Sequence, residues 1–448
     1  MKITLPSCIN SVIDRLESFG KEAYAVGGCI RDLIMGKEPH DYDICTSATP
    51  SEVKKIFANV KCIDTGTKHG TVTVIIDGGQ VEITTFRAES EYSDGRHPDS
   101  VCFSKDVSND LKRRDFTINA LAYSEKRGLI HLFGGIDDIG NKVIRAIGEP
   151  KERFSEDYLR ILRGIRFSAT LSFEIEEKTA TAIHELKEKI SLISAERISG
   201  ELKKIVCGDN FEEVFLKFID VFAVIIPELI PCIGYDQNNP HHCNSLEIHL
   251  AKTVTASPKN YISRLAALFH DISKPSVMTK DENGISHYYS HASLSCEMAQ
   301  QILKRLHFSN KDISTITTLI RYHDGVIDET EKAVLRRINQ LGEDLFFDLI
   351  ALQRADNSAQ TESEALRSEH SDKLCSIAKG LIAKKKTSSL NKIAVDGNDM
   401  ISIGLSGRQI GLALDYLLNE VIDGNIENSR ESLLKHCQSP SFFNIINS

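Results

Sequence analysis

The stretch AYAVGGCIRDLIMGKEPHDYDI, residues 23–44, decides how this chain is read. Its pattern predicts a strand, a glycine pair, a helix start carrying Arg31 and Asp32, and a second strand through Asp41-Tyr42-Asp43. Strand side chains alternate with period two, so Asp41 and Asp43 are expected on one face. Carboxylates placed so can share a Mg²⁺, which completes its octahedron with phosphate oxygens and water. Gly27 and Gly28 let backbone amides approach a triphosphate at a helix N-terminus. Glu82, in VEITTFR, is either a third carboxylate on a neighbouring strand or a surface residue opposite Val81. Transfer with two metal ions needs acidic ligands on neighbouring strands. The chemistry suggested is nucleotidyl transfer.

Composition bounds the rest. A chain of 448 residues is expected to hold two to four domains. Hydrophobic residues make up 41%, enough for real cores and against global disorder. No apolar run approaches about 18 residues, so no membrane span is expected. The start, MKITLPSCINSVIDRL, lacks a long apolar segment, so no signal peptide is expected either. Eleven cysteines without C-x-x-C pairs read as reduced cytoplasmic thiols. The net charge of −9 argues weakly against general nucleic-acid binding. It leaves room for a local basic groove built from Lys105, Lys112, Arg113 and Arg114, then Arg160, Arg163 and Arg166.

Residues 1–150 mix strand and helix patterns: AYAVGG, DYDICT, GTVTVII and QVEITTF read as strands. RAESEYSDGRHPDSVC, between Phe86 and Phe103, reads as a long loop. From about Glu152 the period turns helical, giving a neck over 151–232. PCIGYDQNNPHHCN reads as a linker, with His241 and His242 as loop residues. A histidine-rich region spans 233–365, and a helical tail spans 366–448 with a run at Lys384, Lys385 and Lys386. The fold class expected is α+β: a small mixed sheet with helices, then helical domains.

Two further motifs carry chemistry. In LKRRDFTINALA (111–122), Arg113-Arg114-Asp115 is predicted to open a helix with Asn119 one turn on. The planar guanidinium fork suits phosphate. In SEDYLRILRGIRF (155–167), Asp157 and Arg160 are predicted on one helical face, with Arg163 and Arg166 continuing the stripe. A carboxylate only accepts and a guanidinium only donates, so the pair matches the edges of cytosine and adenine, and not those of guanine and uracil. The spacing alone favours a surface salt bridge.

The motifs GGxxRD with DYDI, RRDFTINALA, LFGGIDDI (132–139), EDYLRILRGIRF and AERISGEL (195–202) occur in one order. Together they resemble the bacterial tRNA nucleotidyltransferases, the CCA-adding enzymes, and the closely similar poly(A) polymerases, over roughly residues 20–230. That resemblance implies a polymerase-β-like head with a five-stranded sheet, followed by all-helical neck, body and tail. It implies addition of C, C and A to tRNA from CTP and ATP without a nucleic-acid template. It makes Asp157 and Arg160 the base-reading pair. Gly28, Arg31, Arg114, Asn119, Arg163 and Arg166 become nucleotide-binding residues, and Asp41, Asp43 and Glu82 the catalytic carboxylates. The loop over 89–101, present in full, favours a switch from C to A; an A-adding enzyme has nearly the same motifs.

His249, His270-Asp271, His291, His323 and Asp356 follow the H…HD…H…H…D order and resemble the HD phosphohydrolases. Imidazoles with carboxylates suit divalent transition metals. Asp271 is placed to bridge two ions that activate water, and Lys274, one turn on, to touch phosphate. The resemblance implies hydrolysis of phosphoesters at RNA ends. The tail resembles a tRNA-gripping segment, with Lys384–Lys386 as phosphate contacts or as a solvated face.

Overall fold

The computed structural model describes residues 3–66, 70–76, 79–88, 102–238, 244–282, 284–360, 364–387, 393–439, 442–443 and 446. The 89–101 loop, His241 and His242 lie outside the described residues, as do the side chains of Lys384, Lys385 and Lys386. The chain divides into two compact units. One comprises residues 1–233 with 301–309; the other comprises 234–300 with 310–448.

In the first unit the strands are β1 Ala23–Val26, β2 Asp43–Thr46, β3 Cys62–Gly66, β4 Thr71–Ile76, β5 Gly79–Thr85, β6 Arg87–Ala88, β7 Cys102–Phe103, β8 Ala122–Ser124 and β9 Gly128–Ile130. One mixed seven-stranded sheet runs β3-β4-β5-β2-β1-β8-β9. Within it β2 and β5 pair parallel and the other neighbours antiparallel. The sheet is therefore wider than the five strands expected, because the short β8 and β9 extend it beyond β1. In β5, Val81, Ile83 and Thr85 are buried while Gln80 and Glu82 are exposed, the alternation that leaves one face open. The helix Ser7–Ser18 buries Ile9, Val12, Ile13 and Leu16 and packs on β1.

Several local expectations are corrected. Strand β2 begins at Asp43, paired with Val26, so Asp41 precedes the ladder and the period-two argument does not reach it. On the β1 side Gly27, with φ of 84°, turns the chain away just past Val26, so residues 41 and 42 have no partner there. Arg113-Arg114-Asp115 does not open a helix. The helix Val107–Lys112 starts earlier, where Asp106 accepts the amide of Ser108, and ends at Arg113. Asp115 then accepts the amide of Phe116, a local bond that competes with helix continuation. A 3₁₀ turn, Thr117–Asn119, follows.

The predicted helix through Asp157 is likewise broken. Pro150–Glu156 and Leu159–Leu171 are separate helices, and Asp157 between them is extended at φ −151° and ψ 104°. Its Oδ1 accepts the amide of Leu159 at 3.1 Å, which favours the break. The neck is not all-helical: Val143–Ile144 pairs parallel with Glu174–Ile175.

In the second unit, the helices Leu246–Ala256, Tyr261–Phe269, Asn310–Tyr322 and Glu343–Ser358 pack together around Leu250, Leu265, Phe269, Ile316 and Leu349. A short hairpin pairs Thr279–Lys280 with Ser286–His287, again departing from an all-helical body. The C-terminal helices Gly397–Ser402, Arg408–Ile422 and Arg430–Cys437 enclose Met400, Leu417, Leu433 and Phe442. Among the described residues no helix is long and apolar enough to cross a membrane.

Candidate functional site

The open face of the sheet in the first unit leads into a cleft of about 710 Å³. Carboxylates line it. The β2–β5 ladder sets Asp43 directly beside Glu82, and Asp41 lines the same cleft. Loss of hydration and the nearby Asp41 raise the Asp43 carboxyl above the ordinary carboxylate range; Glu82 adds to this and Arg114 opposes it. Carboxylates clustered so form a donor set that a divalent cation fits. Oxygens of all three are not drawn within 4.8 Å of one another, so they line one cleft without closing into a chelate.

Cations line it as well. Arg31, Arg87, Arg113, Arg114, Arg160, Arg163, Arg166 and Arg197 all line the cleft. Asp110, fully buried, anchors Arg113 (2.9 Å from Nε) and Arg114 (3.0 Å). Burial would raise Asp110, but Arg114 and Arg113 outweigh it and hold the carboxyl below its usual range. Asp115 is a second anchor. It takes Arg163 at 2.7 Å and Asn119 at 3.2 Å, and Asn119 in turn accepts Arg31 at 2.8 Å. Burial opposes its charge, yet Arg163 and Arg160 keep it well below the carboxylate range. Gly27 and Gly28 lie at the junction of β1 with the helix Gly28–Ile34. A Cβ on Gly27 would sit 3.0 Å from Arg114 Nη1, so this glycine serves both the turn and the close packing.

Asp157 and Arg160 line the cleft, but their side chains are not paired with each other. Asp157 Oδ2 accepts Arg197 at 2.7 Å. Arg160 bonds Glu156 and donates to the carbonyls of Arg153 (2.8 Å) and Arg113 (3.1 Å). Arg197 was missed by sequence reasoning, although AERISGEL contains it; nothing local ties it to a residue forty positions earlier. Phe167 was missed too, because it reads as an apolar helix position. It lines the cleft with Arg31, Arg163 and Arg166 around its ring.

A second cluster lies in the second unit. His249, His270, Asp271 and Asp356 form one group, and Asp271, His291 and His323 another, each with ligand atoms inside 4.8 Å. All six histidine and aspartate positions of the HD pattern are thus brought together. Asp271 belongs to both groups: Oδ2 faces His249 (3.3 Å) and His270 (3.2 Å), and Oδ1 faces His291 (3.2 Å) and His323 (3.6 Å). The Nδ1 atoms of His270, His291 and His323 lie 2.7, 2.8 and 2.7 Å from the carbonyls of Ala267, Tyr288 and Ile320. That fixes Nδ1 as the protonated donor and turns the Nε2 lone pairs inward. Nε2 of His249 then faces that of His270 at 3.2 Å, and His291 faces His323 at 3.3 Å. Inward-facing acceptors call for a shared proton or a metal. Buried Asp271 Oδ1 accepts no hydrogen bond, which also fits a cation. Burial disfavours charge on His270, but Asp271 and Asp356 push it up to about 10. Lys274 Nζ lies 2.6 Å from Asp271 Oδ2.

Comparison with known proteins converges on one family. A model of the poly A polymerase head domain matches residues 23–145. One described as "Probable RNA and SrmB- binding site of polymerase A" matches 172–232, and one of tRNA nucleotidyltransferase domain 2 matches 278–437. The CCA-adding enzyme of Enterococcus faecalis is 33% identical over 426 residues, covering 94% of this chain and 93% of the relative. That of Lactobacillus delbrueckii subsp. bulgaricus is 51% identical over 208 residues; the match covers 46% of this chain and 52% of the relative, so about half of its length. The CCA-adding enzyme of Bacillus stearothermophilus in complex with CTP superposes with a TM-score of 0.73 at 25% identity, covering 99% of this chain and 100% of that one.

Proposed function

Because this chain belongs to the family of bacterial CCA-adding enzymes, we propose that it completes tRNA 3′ ends with C, C and A from CTP and ATP. The observation that carries this reading is the one cleft lined both by Asp41, Asp43 and Glu82 and by eight arginines. A triphosphate fits the arginines, whose planar forks match phosphate oxygens. Its α-phosphate then lies toward Asp41, Asp43 and Glu82. Nucleotidyltransferases of this kind use divalent metal ions; we take Mg²⁺ as the ion, with Asp41 and Asp43 as its ligands. Such an ion supplies charge stabilisation at the reacting phosphate and lowers the pKa of an attacking hydroxyl. The reaction joins the RNA 3′ oxygen to the α-phosphorus and releases pyrophosphate. The residues of the chain orient the triphosphate and hold the carboxylates in register.

Asp157 and Arg160 are the base-reading pair in this reading, with Arg197 holding Asp157 at the cleft wall. The roles divide along the chain: transfer in 1–150, base reading in 151–232, and tRNA contact by the tail, 366–448. The test uses labelled tRNA ending at the discriminator base. CTP with ATP should extend it by C, C and A, and CTP alone by C and C. Extension by ATP alone would point instead to an A-adding enzyme or poly(A) polymerase. Asp41→Ala should abolish every extension.

A second activity has its own observation: two histidine groups sharing Asp271. We read residues 233–365 as an HD domain that hydrolyses phosphoesters at RNA ends with a divalent transition metal. His249, His270, Asp271 and Asp356 would hold one ion, and Asp271, His291 and His323 the other. Ions sharing a carboxylate activate a water for hydrolysis. Opening of a 2′,3′-cyclic phosphate at an RNA end by water to a terminal phosphomonoester, assayed over a panel of divalent metals, tests this. Activity that survives His270→Ala with Asp271→Ala rules the site out.

A further inference from the structure

The ring of Phe167 is surrounded by guanidinium groups from two separate segments. The guanidinium carbon of Arg166 lies 4.2 Å from its centroid, that of Arg31 5.3 Å and that of Arg163 5.6 Å. Arg163 and Arg166 lie on the same helix as Phe167, while Arg31 comes from the helix after the glycine pair. Like charges this close repel. Burial lowers the pKa of Arg166, and Arg163 and Arg31 lower it further, against the pull of Glu201.

Each guanidinium keeps one carboxylate: Arg31 has Asp32 at 2.7 Å, Arg163 has Asp115 at 2.6 Å, and Arg166 has Glu201 at 3.3 Å. Asp115 reaches Arg31 through Asn119, but none of these anions joins all three arginines. Phe167 does. A ring face carries partial negative charge and attracts cations without consuming their N–H donors. The ring is itself fixed, only 7% exposed and set edge-on to Phe116 at 5.8 Å. Its three cations all line the cleft.

We infer that Phe167 is the positioning residue of the triphosphate site: its ring gathers Arg31, Arg163 and Arg166 into one polyanion-binding face that holds the phosphates of either nucleotide alike. The inference rests on the nucleotide-site reading above and deepens it. A ring that gathers phosphate-binding cations acts on what CTP and ATP share. A ring that merely fills the core affects folding, and one that touches the base separates the two nucleotides.

The test is titration of the full-length protein with inorganic tripolyphosphate, CTP and ATP, for the wild type, Phe167→Leu, Phe167→Met and Phe167→Tyr. Leu and Met keep an apolar side chain but remove the ring. Both should weaken all three probes by a common factor, roughly tenfold, at a thermal midpoint close to that of the wild type. Phe167→Tyr, which keeps the ring, should recover the affinity. The inference is overturned if tripolyphosphate binds the folded Leu or Met variant as it binds the wild type, or if CTP and ATP are weakened unequally. If Leu fails to fold, Met decides; if both fail while Tyr folds, the ring is a packing element and the inference is also overturned. Wild-type protein that binds none of the three probes refutes the nucleotide-site reading itself, a result distinct from the others.

Discussion

Asp110 accepts both Arg113 and Arg114 at a site fully closed to solvent. Its carboxyl is held below the usual range because those cations outweigh its burial. The sign follows from linkage. A depressed folded pKa contributes stability that is present above the unfolded carboxylate value and is lost as pH falls toward the folded one. Asp110→Asn should therefore cost about 3 kcal/mol at neutral pH, because it leaves guanidiniums facing a neutral amide. Urea denaturation should show the gap between wild type and variant closing as pH drops below about 4. A constant gap would mean that the pair stabilises by packing alone. Asp157 makes a different kind of prediction. Its Oδ2 is held by Arg197, so both Asp157→Ala and Arg197→Ala should relax discrimination between CTP and GTP, the first more than the second. Unchanged discrimination in Asp157→Ala would refute its base-reading role.

At the scale of elements, the junction of β1 with the helix Gly28–Ile34 carries the next prediction. Gly27 adopts φ 84° and lies against Arg114, so Gly27→Ala pays a backbone strain of roughly 1 kcal/mol and pushes on Arg114. Nucleotide KM should rise in steady-state kinetics; an unchanged KM would show that Arg114 shifts without consequence. This junction was legible in the sequence because its signals are local: strand alternation, a glycine pair, and carboxylates a few residues apart. Glu82 was nameable for the same reason, although only the parallel β2–β5 register sets it beside Asp43. The breaks were not legible. Asp157 leaves the helix because its own side chain takes the amide of Leu159, and helical spacing carries no trace of that bond. The helix before Arg113 was misplaced because its cap, Asp106, lies upstream of the arginine cluster that drew attention. Strands β8 and β9 are only three residues each, too short to give a period. Arg197 and Phe167 act through contacts distant in sequence or through an aromatic face, and neither leaves a polar pattern.

For the whole molecule, the lining residues of the cleft belong to the first unit and the six histidine and aspartate residues of the second cluster to the other. Separate construction predicts separable losses. Asp271 is the one residue common to both histidine groups, with an oxygen toward each, so its removal should empty both metal positions. His323 belongs to a single group, and Asp356 to the other. Protein loaded with Mn²⁺ or Ni²⁺, dialysed and analysed for bound metal should hold about one ion per chain fewer than wild type as His323→Ala or as Asp356→Ala, and about two fewer as Asp271→Ala. Nucleotidyl transfer on tRNA should continue in all three variants, since their side chains lie outside the cleft. A loss of only one ion in Asp271→Ala would reduce the cluster to a mononuclear site in which Asp271 is an ordinary ligand. Equal metal content in His323→Ala and wild type would remove the second position altogether, leaving His291 and His323 as a hydrogen-bonded pair beside a single four-residue site.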